Sequence, residues 1–342
     1  MSKNIPNLRE NMLRFSAIYR IISYMENLLI SEHTTSPYLV SPSFSGHQTF
    51  PFRYTWLKKG VDAVMDKTNV FTDDNAPVTL GVGKNMVGSI RHWCLAANLI
   101  EKISGGFKAS EFGEAIFKDK KGFDPYLENP STLWWIHWKI ATNKNQAATW
   151  SWAFNFLNYP EFTRKSLTKD LIYWIKQQKN IRKQPSENTI QKDVNCFFRT
   201  YCLSHSSETA IIEDTFDCPL VELDLIREVQ VEQGENRYQF NLGPKPSLTD
   251  SMLALTISEF WNDCFPNSNT LSFSKVMYSK LSPGQVFKLD ENTLVMSLEK
   301  LETITHGNMI FDDTAGLKQI SRHEKLDMLE LLKGVYLKGV YE

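Results

Sequence analysis

A helical stretch that runs directly into a tight hairpin turn constrains the fold of this chain more than any other feature. Between Lys84 and Lys102, apolar residues recur at the spacing of one helical face, at positions 86, 90, 93, 94, 97 and 100. The chain continues through Gly105-Gly106, a pair that favours a two-residue turn between antiparallel strands. A helix followed by such a hairpin is the plan of a winged helix, in which the helix reads DNA and the hairpin forms the wing.

Two later stretches repeat this plan. Leu294 to Leu301 has a helical pattern and precedes two candidate strands over 304–311, with Gly307-Asn308 as the turn. A weaker copy has a helix over 219–226 and a hairpin over 229–240 that turns at 234–236. The sequence therefore predicts an α+β, mostly helical fold of repeated winged-helix modules, each a helix-turn-helix plus a β-hairpin wing, joined by helical segments. The joining helices are predicted at 130–142, 149–157, 163–178 and 189–203.

The length of 342 residues exceeds that of one typical core, so two or three domains are expected. An amphipathic leader helix and a Ser/Thr/Pro-rich linker are predicted over 1–43. We expect an N-terminal winged-helix domain over 44–125 and a helical middle domain over 126–245, which includes the weaker copy. A C-terminal winged-helix domain is expected over 246–342.

Charge is distributed unevenly along a chain whose net charge is only -1. Residues 163–193 contain eight Lys or Arg against three Asp or Glu, whereas residues 205–235 contain nine acidic residues against one Arg. Such separation lets one face bind phosphate while the whole protein stays near neutral. Two solvated helix faces that differ in sign explain the same pattern.

Cysteine usage and hydropathy indicate a protein of the cytoplasm. The five cysteines are scattered, without a C-x-x-C pair, which fits a reducing compartment. The most apolar early stretch, 12–30, is interrupted by Arg14, Arg20 and Glu26, and no cleavage site of small residues follows it. We expect neither export nor a membrane span.

Two surfaces are predicted to contact DNA. A turn of 100° per residue places Lys84, Gly88, Arg91, His92 and Leu95 opposite the apolar face of the first helix. Basic and amide side chains there suit phosphates and base edges. The predicted contacts on this helix are Lys84, Asn85, Ser89 and Arg91. Those on the second, basic surface are Lys176, Lys179 and Arg182.

Other arrangements are open at this point. Leu80-Gly-Val-Gly-Lys84 lacks the P-loop spacing, although the helix start and Lys84 suit a DNA phosphate as well as a simple turn. His47, His92 and His137 with Asp124 or Glu128 would suit a divalent metal, or His137 is a core residue. The carboxylates of Asp217, Glu222 and Asp224 are a weak nuclease-like cluster or an acidic surface.

Several motifs together resemble the SspB-type family, formerly a domain of unknown function. They are Phe44-Ser-Gly-His-Gln-Thr-Phe50 with Arg53 and Trp56, Leu80-Gly-Val-Gly-Lys-Asn-Met86 with Arg91 and Trp93, Asp124-Pro-Tyr-Leu127 with His137-Trp138, and Ser282-Pro-Gly284 with Asp290. The resemblance covers about residues 44 to 335. Gln48 departs from the family pattern, which has Glu at this position.

The resemblance implies a component of a bacterial DNA phosphorothioation and antiviral defence system that nicks or engages a DNA strand. Its implied partners are DNA and the sulfurtransferase-like and ATPase components of such a system. If the protein nicks DNA, the candidate catalytic residues are His47, Arg53 and His92, and Mg²⁺ or Mn²⁺ is the expected cofactor. A non-catalytic DNA-binding adaptor and a transcription regulator are the alternatives, and the oligomeric state, including a homodimer, stays open.

Overall fold

The protein consists mainly of helices, with short antiparallel sheets between them. The computed structural model describes residues 42–178, 181, 184–203, 218–229, 235–314 and 316–338. The predicted α+β, mostly helical class is therefore confirmed. The predicted leader helix lies outside the described residues. In the described part of the chain, no helix combines the length and apolar character that a membrane crossing requires.

The first part of the chain contains the predicted helix and hairpin. Gly81 ends a short helix in the left-handed conformation (φ 61°), and the long helix begins directly after Gly83. The hairpin pairs Ile100 with Ala109 and Ile103 with Gly106, so the turn is Ser104-Gly105, one residue before the predicted Gly105-Gly106, and Gly105 has a φ of 83°. The elements are α1 (Tyr54–Asp66), α2 (Ala76–Leu80), α3 (Lys84–Ala96), β1 (Ile100–Ile103), β2 (Gly106–Ala109) and α4 (Glu111–Phe117).

A helix that is buried on almost every side lies at the centre of the described fold. In α5 (Pro130–Thr142) each residue from Ser131 to Ala141 is buried, which is the pattern of a core helix rather than a surface one. Asn129 caps its start, and proline at the first position fits because no backbone donor is needed there. Helix α6 (Ala148–Phe156) packs beside it and is buried as completely.

Two amphipathic helices follow and pack against each other. Thr163 and Ser166 form a capping box at the start of α7 (Arg164–Gln177), and Ser186 caps α8 (Glu187–Tyr201). Helix α8 contacts α6 through its apolar side and presents its polar side to solvent.

The weaker copy of the helix and hairpin, predicted over 219–240, has other bounds in the structure. A 3-10 helix over Pro219–Leu223 precedes β3 (Ile226–Val229) and β4 (Arg237–Phe240), while part of the turn lies outside the described residues.

The predicted turn at Gly307-Asn308 is wrong. His306 and Gly307 have φ values of 52° and 81°, and they end a helix instead of joining two strands. The hairpin turns between Thr314 and Leu317, which pair with each other, and Gly316 in this turn has a φ of 79°. The elements are α9 (Asp250–Cys264), β5 (Thr270–Ser272), α10 (Phe273–Tyr278), α11 (Pro283–Phe287), α12 (Glu291–Leu298), α13 (Leu301–Ile304), β6 (Met309–Thr314), β7 (Leu317–Arg322) and α14 (Met328–Lys338).

Strand β7 is the middle strand of its sheet and pairs with both β5 and β6. The described residues all belong to one compact unit, and the domain boundaries at 125 and 245 remain predictions.

Candidate nucleic-acid interface

The loop Phe44–Phe50 holds an unusual concentration of left-handed backbone. Ser45, Gln48 and Thr49 have φ values of 61°, 50° and 69°, although none of them is glycine. This region costs an ordinary side chain free energy, most of all a β-branched one such as threonine. Such a conformation persists only where the surroundings impose it, and it is enriched at functional sites.

A buried carboxylate imposes the loop conformation. Asp193, on the core-facing side of α8, accepts a 2.8 Å hydrogen bond from Nε2 of His47 at Oδ1 and a 2.8 Å bond from the Thr149 hydroxyl at Oδ2. The backbone N–H of Ser45 also donates to Oδ1. Both His47 and Asp193 are only 1% exposed. The three donors satisfy a buried charge that would otherwise be costly.

The hydrogen bonds of His47 define its tautomer. The backbone N–H of Thr49 donates to Nδ1 at 3.0 Å, so Nδ1 carries no proton, and Nε2 is the atom that donates to Asp193. The ring is enclosed by aromatic neighbours, with centroid distances of 6.2 Å to Trp93 and 5.5 Å to Trp150. Both nitrogens of His47 are therefore used to hold the loop.

His92 lies beneath the same loop, which corrects the prediction that it faces solvent from α3. A Cβ on Gly46 would lie 2.4 Å from Nδ1 of His92, so only glycine lets the loop backbone approach this ring. His92 is 5% exposed, and among the described residues its Nε2 has no hydrogen-bond partner. Burial lowers the pKa of His92 to about 3, and the neighbouring His47 and Arg91 contribute less to this shift.

The outer face of α3 and the tip of the loop form one surface, which we call the loop–helix surface. Gln48 lies against Gly88, since its Cγ is 3.5 Å from the place of a Cβ there. Both Gln48 and Thr49 are exposed, and so are Lys84 and Asn85 at the start of the helix. The members of the loop–helix surface are Gln48, Thr49, Lys84, Asn85, Gly88 and Arg91.

This surface is basic and carries no carboxylate among its members. None of the ion pairs formed within the described residues involves Lys84 or Arg91. Both cations are therefore accessible to an anionic ligand, and Lys84 also lies in the first turn of α3, where backbone N–H groups favour an anion.

Two predicted site residues lie elsewhere. Ser89 is fully buried, and its hydroxyl donates to the Phe50 carbonyl at 3.4 Å, so in this structure it supports the loop and does not reach the surface. The Trp93 indole donates to the same carbonyl at 2.8 Å. Arg53 stands just before α1 with its guanidinium carbon 5.5 Å from the Trp56 ring centroid. His47 and His92 are neighbours, with ring centroids 5.7 Å apart.

The second predicted DNA contact is described only in part. Lys176 is exposed on α7, whereas Lys179 and Arg182 lie outside the described residues. Lys165, Lys169 and Tyr173 are exposed on the same side of the helix as Lys176, at the spacing of one helical face. This stretch remains a predicted contact.

The alternative sites are not assembled. His137 is fully buried, where its Nδ1 accepts from the Tyr201 hydroxyl at 2.8 Å and its Nε2 donates to the Val286 carbonyl at 2.9 Å. It is a satisfied core residue. Asp124 accepts from the backbone N–H groups of Glu128 and Asn129 and so caps a turn.

The acidic cluster is likewise divided among other partners. Glu222 accepts from the Tyr54 hydroxyl, Asp224 pairs with Arg227, and Asp217 lies outside the described residues.

The fit of Mg²⁺ follows from the donors present. Magnesium prefers carboxylate oxygens and water molecules as ligands, in octahedral geometry. Among the described residues, no group of three His, Cys, Asp or Glu is arranged to hold an ion. Asp193 is the carboxylate nearest the loop, and its oxygens are occupied by Ser45, His47 and Thr149. The described residues therefore do not fit a magnesium ion.

Sequence reasoning missed Asp193, Thr149 and Arg199. Asp193 occupies a core-facing position of an amphipathic helix, between the buried Ile190 and Phe197, where an apolar residue is expected. That lone acidic residue on an apolar face was the available signal. Arg199 gave no such signal, and its Nη1 donates to the Thr49 carbonyl at 3.2 Å.

Comparison with known proteins gives a family and two similar structures. The family described as "Protein of unknown function (DUF4007)" matches residues 44–336. A magnesium ion-bound SspB crystal structure is similar at a TM-score of 0.78 and 27% sequence identity, covering 88% of this chain and 89% of that one. A second SspB crystal structure has a TM-score of 0.74 at 27% identity, with coverages of 87% and 88%. A search of curated proteins found no match. The chain therefore belongs to the DUF4007 family, and the resemblance to SspB-type proteins is confirmed.

Proposed function

We propose that this protein is the DNA-engaging component of a bacterial phosphorothioation and antiviral defence system. Its similarity to SspB over nearly the whole described chain supports the assignment to a phosphorothioation system, and the motifs around His47 and Lys84 imply the same assignment. In this proposal the protein acts in the cytoplasm beside sulfurtransferase-like and ATPase components. The DNA-binding part of the proposal rests on the loop–helix surface.

The order of elements supports a winged-helix role for the first part of the chain. Helices α1, α2 and α3 precede the β1–β2 hairpin, and α3 packs on both earlier helices. In such a module the third helix enters the major groove and the hairpin contacts the backbone. We assign α3 as the recognition helix, with Lys84, Asn85 and Arg91 as its DNA contacts.

One observation carries this function: a strained loop is locked beside the basic face of a helix by a buried His–Asp pair. The lock costs free energy, because it holds left-handed Gln48 and Thr49 and buries a carboxylate. In return it presents an amide and a hydroxyl next to Lys84 and Arg91. Rigid polar donors beside accessible cations suit a phosphodiester backbone and adjacent base edges.

The geometry favours DNA engagement over strand cleavage by His47. A general base needs an available nitrogen, and both nitrogens of His47 are occupied by Thr49 and Asp193. His92 is buried beneath the loop. We therefore assign both histidines as positioning residues.

The test measures binding and nicking separately. Fluorescence anisotropy with a labelled duplex compares the wild-type protein with Arg91→Ala, which we expect to weaken binding by about 1–3 kcal/mol. Lys325→Ala is the matched control, since Lys325 is exposed and lies outside α3 and the loop Phe44–Phe50. Unchanged affinity in a folded Arg91→Ala protein would remove α3 from the interface. Conversion of supercoiled plasmid to open circle, with Mg²⁺ and with EDTA, decides between an adaptor and a nickase.

A further inference from the structure

Helix α8 begins within the basic stretch 163–193 and carries a stripe of polar residues that continues past this stretch to Arg199. At 100° per residue, Asn188, Lys192, Asn195 and Arg199 lie within about 60° of one another on the helix surface. The first three are exposed and Arg199 is half-buried, while the apolar side of the helix faces the core. We call these four residues the α8 stripe.

The stripe contains cations and amides without a carboxylate. Helix α8 has two acidic residues, and neither belongs to the stripe. Asp193 is buried against His47, and Glu187 accepts a 3.3 Å hydrogen bond from Gln191. No ion pair formed within the described residues involves Lys192 or Arg199. The stripe therefore presents positive charge and hydrogen-bond donors to solvent.

The α8 stripe joins the loop–helix surface directly. Arg199, at one end of the stripe, donates from Nη1 to the carbonyl of Thr49, a member of that surface. The buried side of the same helix holds the loop through Asp193. One helix thus fixes the loop with one face and extends the polar surface beyond the loop with the other.

A neighbouring arginine orients the centre of the stripe. Nη1 of Arg164 donates to Oδ1 of Asn195 at 3.3 Å, which occupies the amide oxygen and leaves the NH₂ group as the donor for a ligand. The guanidinium of Arg164 itself stacks 4.4 Å from the Phe198 ring centroid. This places an additional positive charge beside the stripe.

We propose that the α8 stripe contacts the DNA backbone and extends the footprint of the loop–helix surface. This inference rests on the proposed DNA-binding function and names a second set of contacts for it. From Asn188 to Arg199 the helix rises about 16 Å, or about five base-pair steps of duplex. Lysine and arginine supply the charge that phosphates require, and the two asparagines supply uncharged hydrogen bonds.

The experiment is a salt titration of DNA binding. A labelled duplex is titrated with four proteins: wild type, Lys192→Ala, Lys192→Ala/Asn195→Ala and Arg91→Ala. Each titration is repeated at KCl concentrations from about 0.05 to about 0.2 M, a range over which phosphate contacts change the affinity strongly. Lys325→Ala is again the control for loss of a lysine elsewhere. Circular dichroism and thermal unfolding establish that each variant is folded.

The loss of one phosphate contact should weaken binding by about eightfold at 0.1 M salt, because each contact contributes a salt slope of about 0.9. We expect this loss and a slope lower by about 0.9 in Lys192→Ala, with a further loss in the double variant. If Arg91→Ala weakens binding while both Lys192 variants titrate like wild type, the extended footprint is wrong and the loop–helix surface stands. If the Lys192 variants weaken binding and Arg91→Ala does not, the α8 stripe stands and the recognition-helix assignment fails. If the wild-type protein does not bind the duplex, both proposals fail.

Discussion

The Nε2 atom of His47 lies 2.8 Å from Oδ1 of Asp193, and this bond joins residues 146 positions apart in the chain. It connects a strained loop to the core side of α8, so the loop is not held by its own part of the chain alone. Ser45 and Thr149 donate to the same carboxylate. The shape of the proposed DNA-contacting loop therefore depends on Asp193, a residue outside the loop.

Replacement of Asp193 by Asn should destabilise the protein and loosen the loop. The amide NH₂ would face either the Ser45 N–H and His47 Nε2–H at the place of Oδ1 or the Thr149 hydroxyl at the place of Oδ2, so buried donors would lose their acceptor. We expect a loss of roughly 2–4 kcal/mol in the free energy of unfolding, measured by urea denaturation. Thr149→Val removes a single donor and should cost about 1 kcal/mol. Equal stability of Asp193→Asn and wild type would mean that the carboxylate does not hold the loop.

Gly46→Ala should be destabilising because the loop and the His92 ring are in close contact. The added Cβ would lie 2.4 Å from Nδ1 of His92, and overpacking of this kind costs about 1–3 kcal/mol. Removing the ring in the double variant Gly46→Ala/His92→Ala should make the alanine at 46 much less costly than it is in the wild-type background. A double-mutant cycle on thermal unfolding measures this coupling. Additive effects would show that the two residues do not share the space.

Acid should destabilise the protein through its buried histidines. Burial lowers the pKa of both His92 and His137 to about 3, below the value of about 6.5 expected in the unfolded chain. Between these two values the unfolded chain binds more protons than the folded protein, so the free energy of unfolding falls as the pH is lowered from 6.5. From pH 7 to pH 5 each histidine should contribute a loss of about 2 kcal/mol.

The contribution of His92 can be isolated by substitution. His92→Phe keeps a ring of similar size and removes the titrating group, so its loss of stability from pH 7 to pH 5 should be about 2 kcal/mol smaller than that of wild type. Urea denaturation at the two pH values gives both numbers. An identical loss in the two proteins would contradict the assignment of His92 as a buried neutral ring.

Local patterns predicted the fold well where a residue's environment is set by its near neighbours. The apolar spacing of α3 and the glycine pair after it located the first helix and hairpin. Gly307 misled the prediction because a left-handed glycine ends a helix as readily as it turns a hairpin.

The site was predictable only in part, because its lock is a long-range contact. Helical periodicity predicted the exposure of Lys84 and Asn85, whereas His92 and Ser89 are buried against a loop distant in sequence. Asp193, which binds His47, lies on α8 more than a hundred positions away and is itself bound by Thr149 on α6, and no spacing rule links these residues. In the sequence Arg199 is one of many basic residues, and only its bond to Thr49 connects it with the loop.

The aromatic enclosure of His47 gives the protein an intrinsic optical reporter. Trp93 and Trp150 contact each other at 5.2 Å between centroids, and both lie beside His47. Any event that moves the loop changes the surroundings of these two indoles at once. Tryptophan emission can thus follow the arrival of a ligand at the loop in unlabelled protein, on the timescale of a stopped-flow mixing experiment.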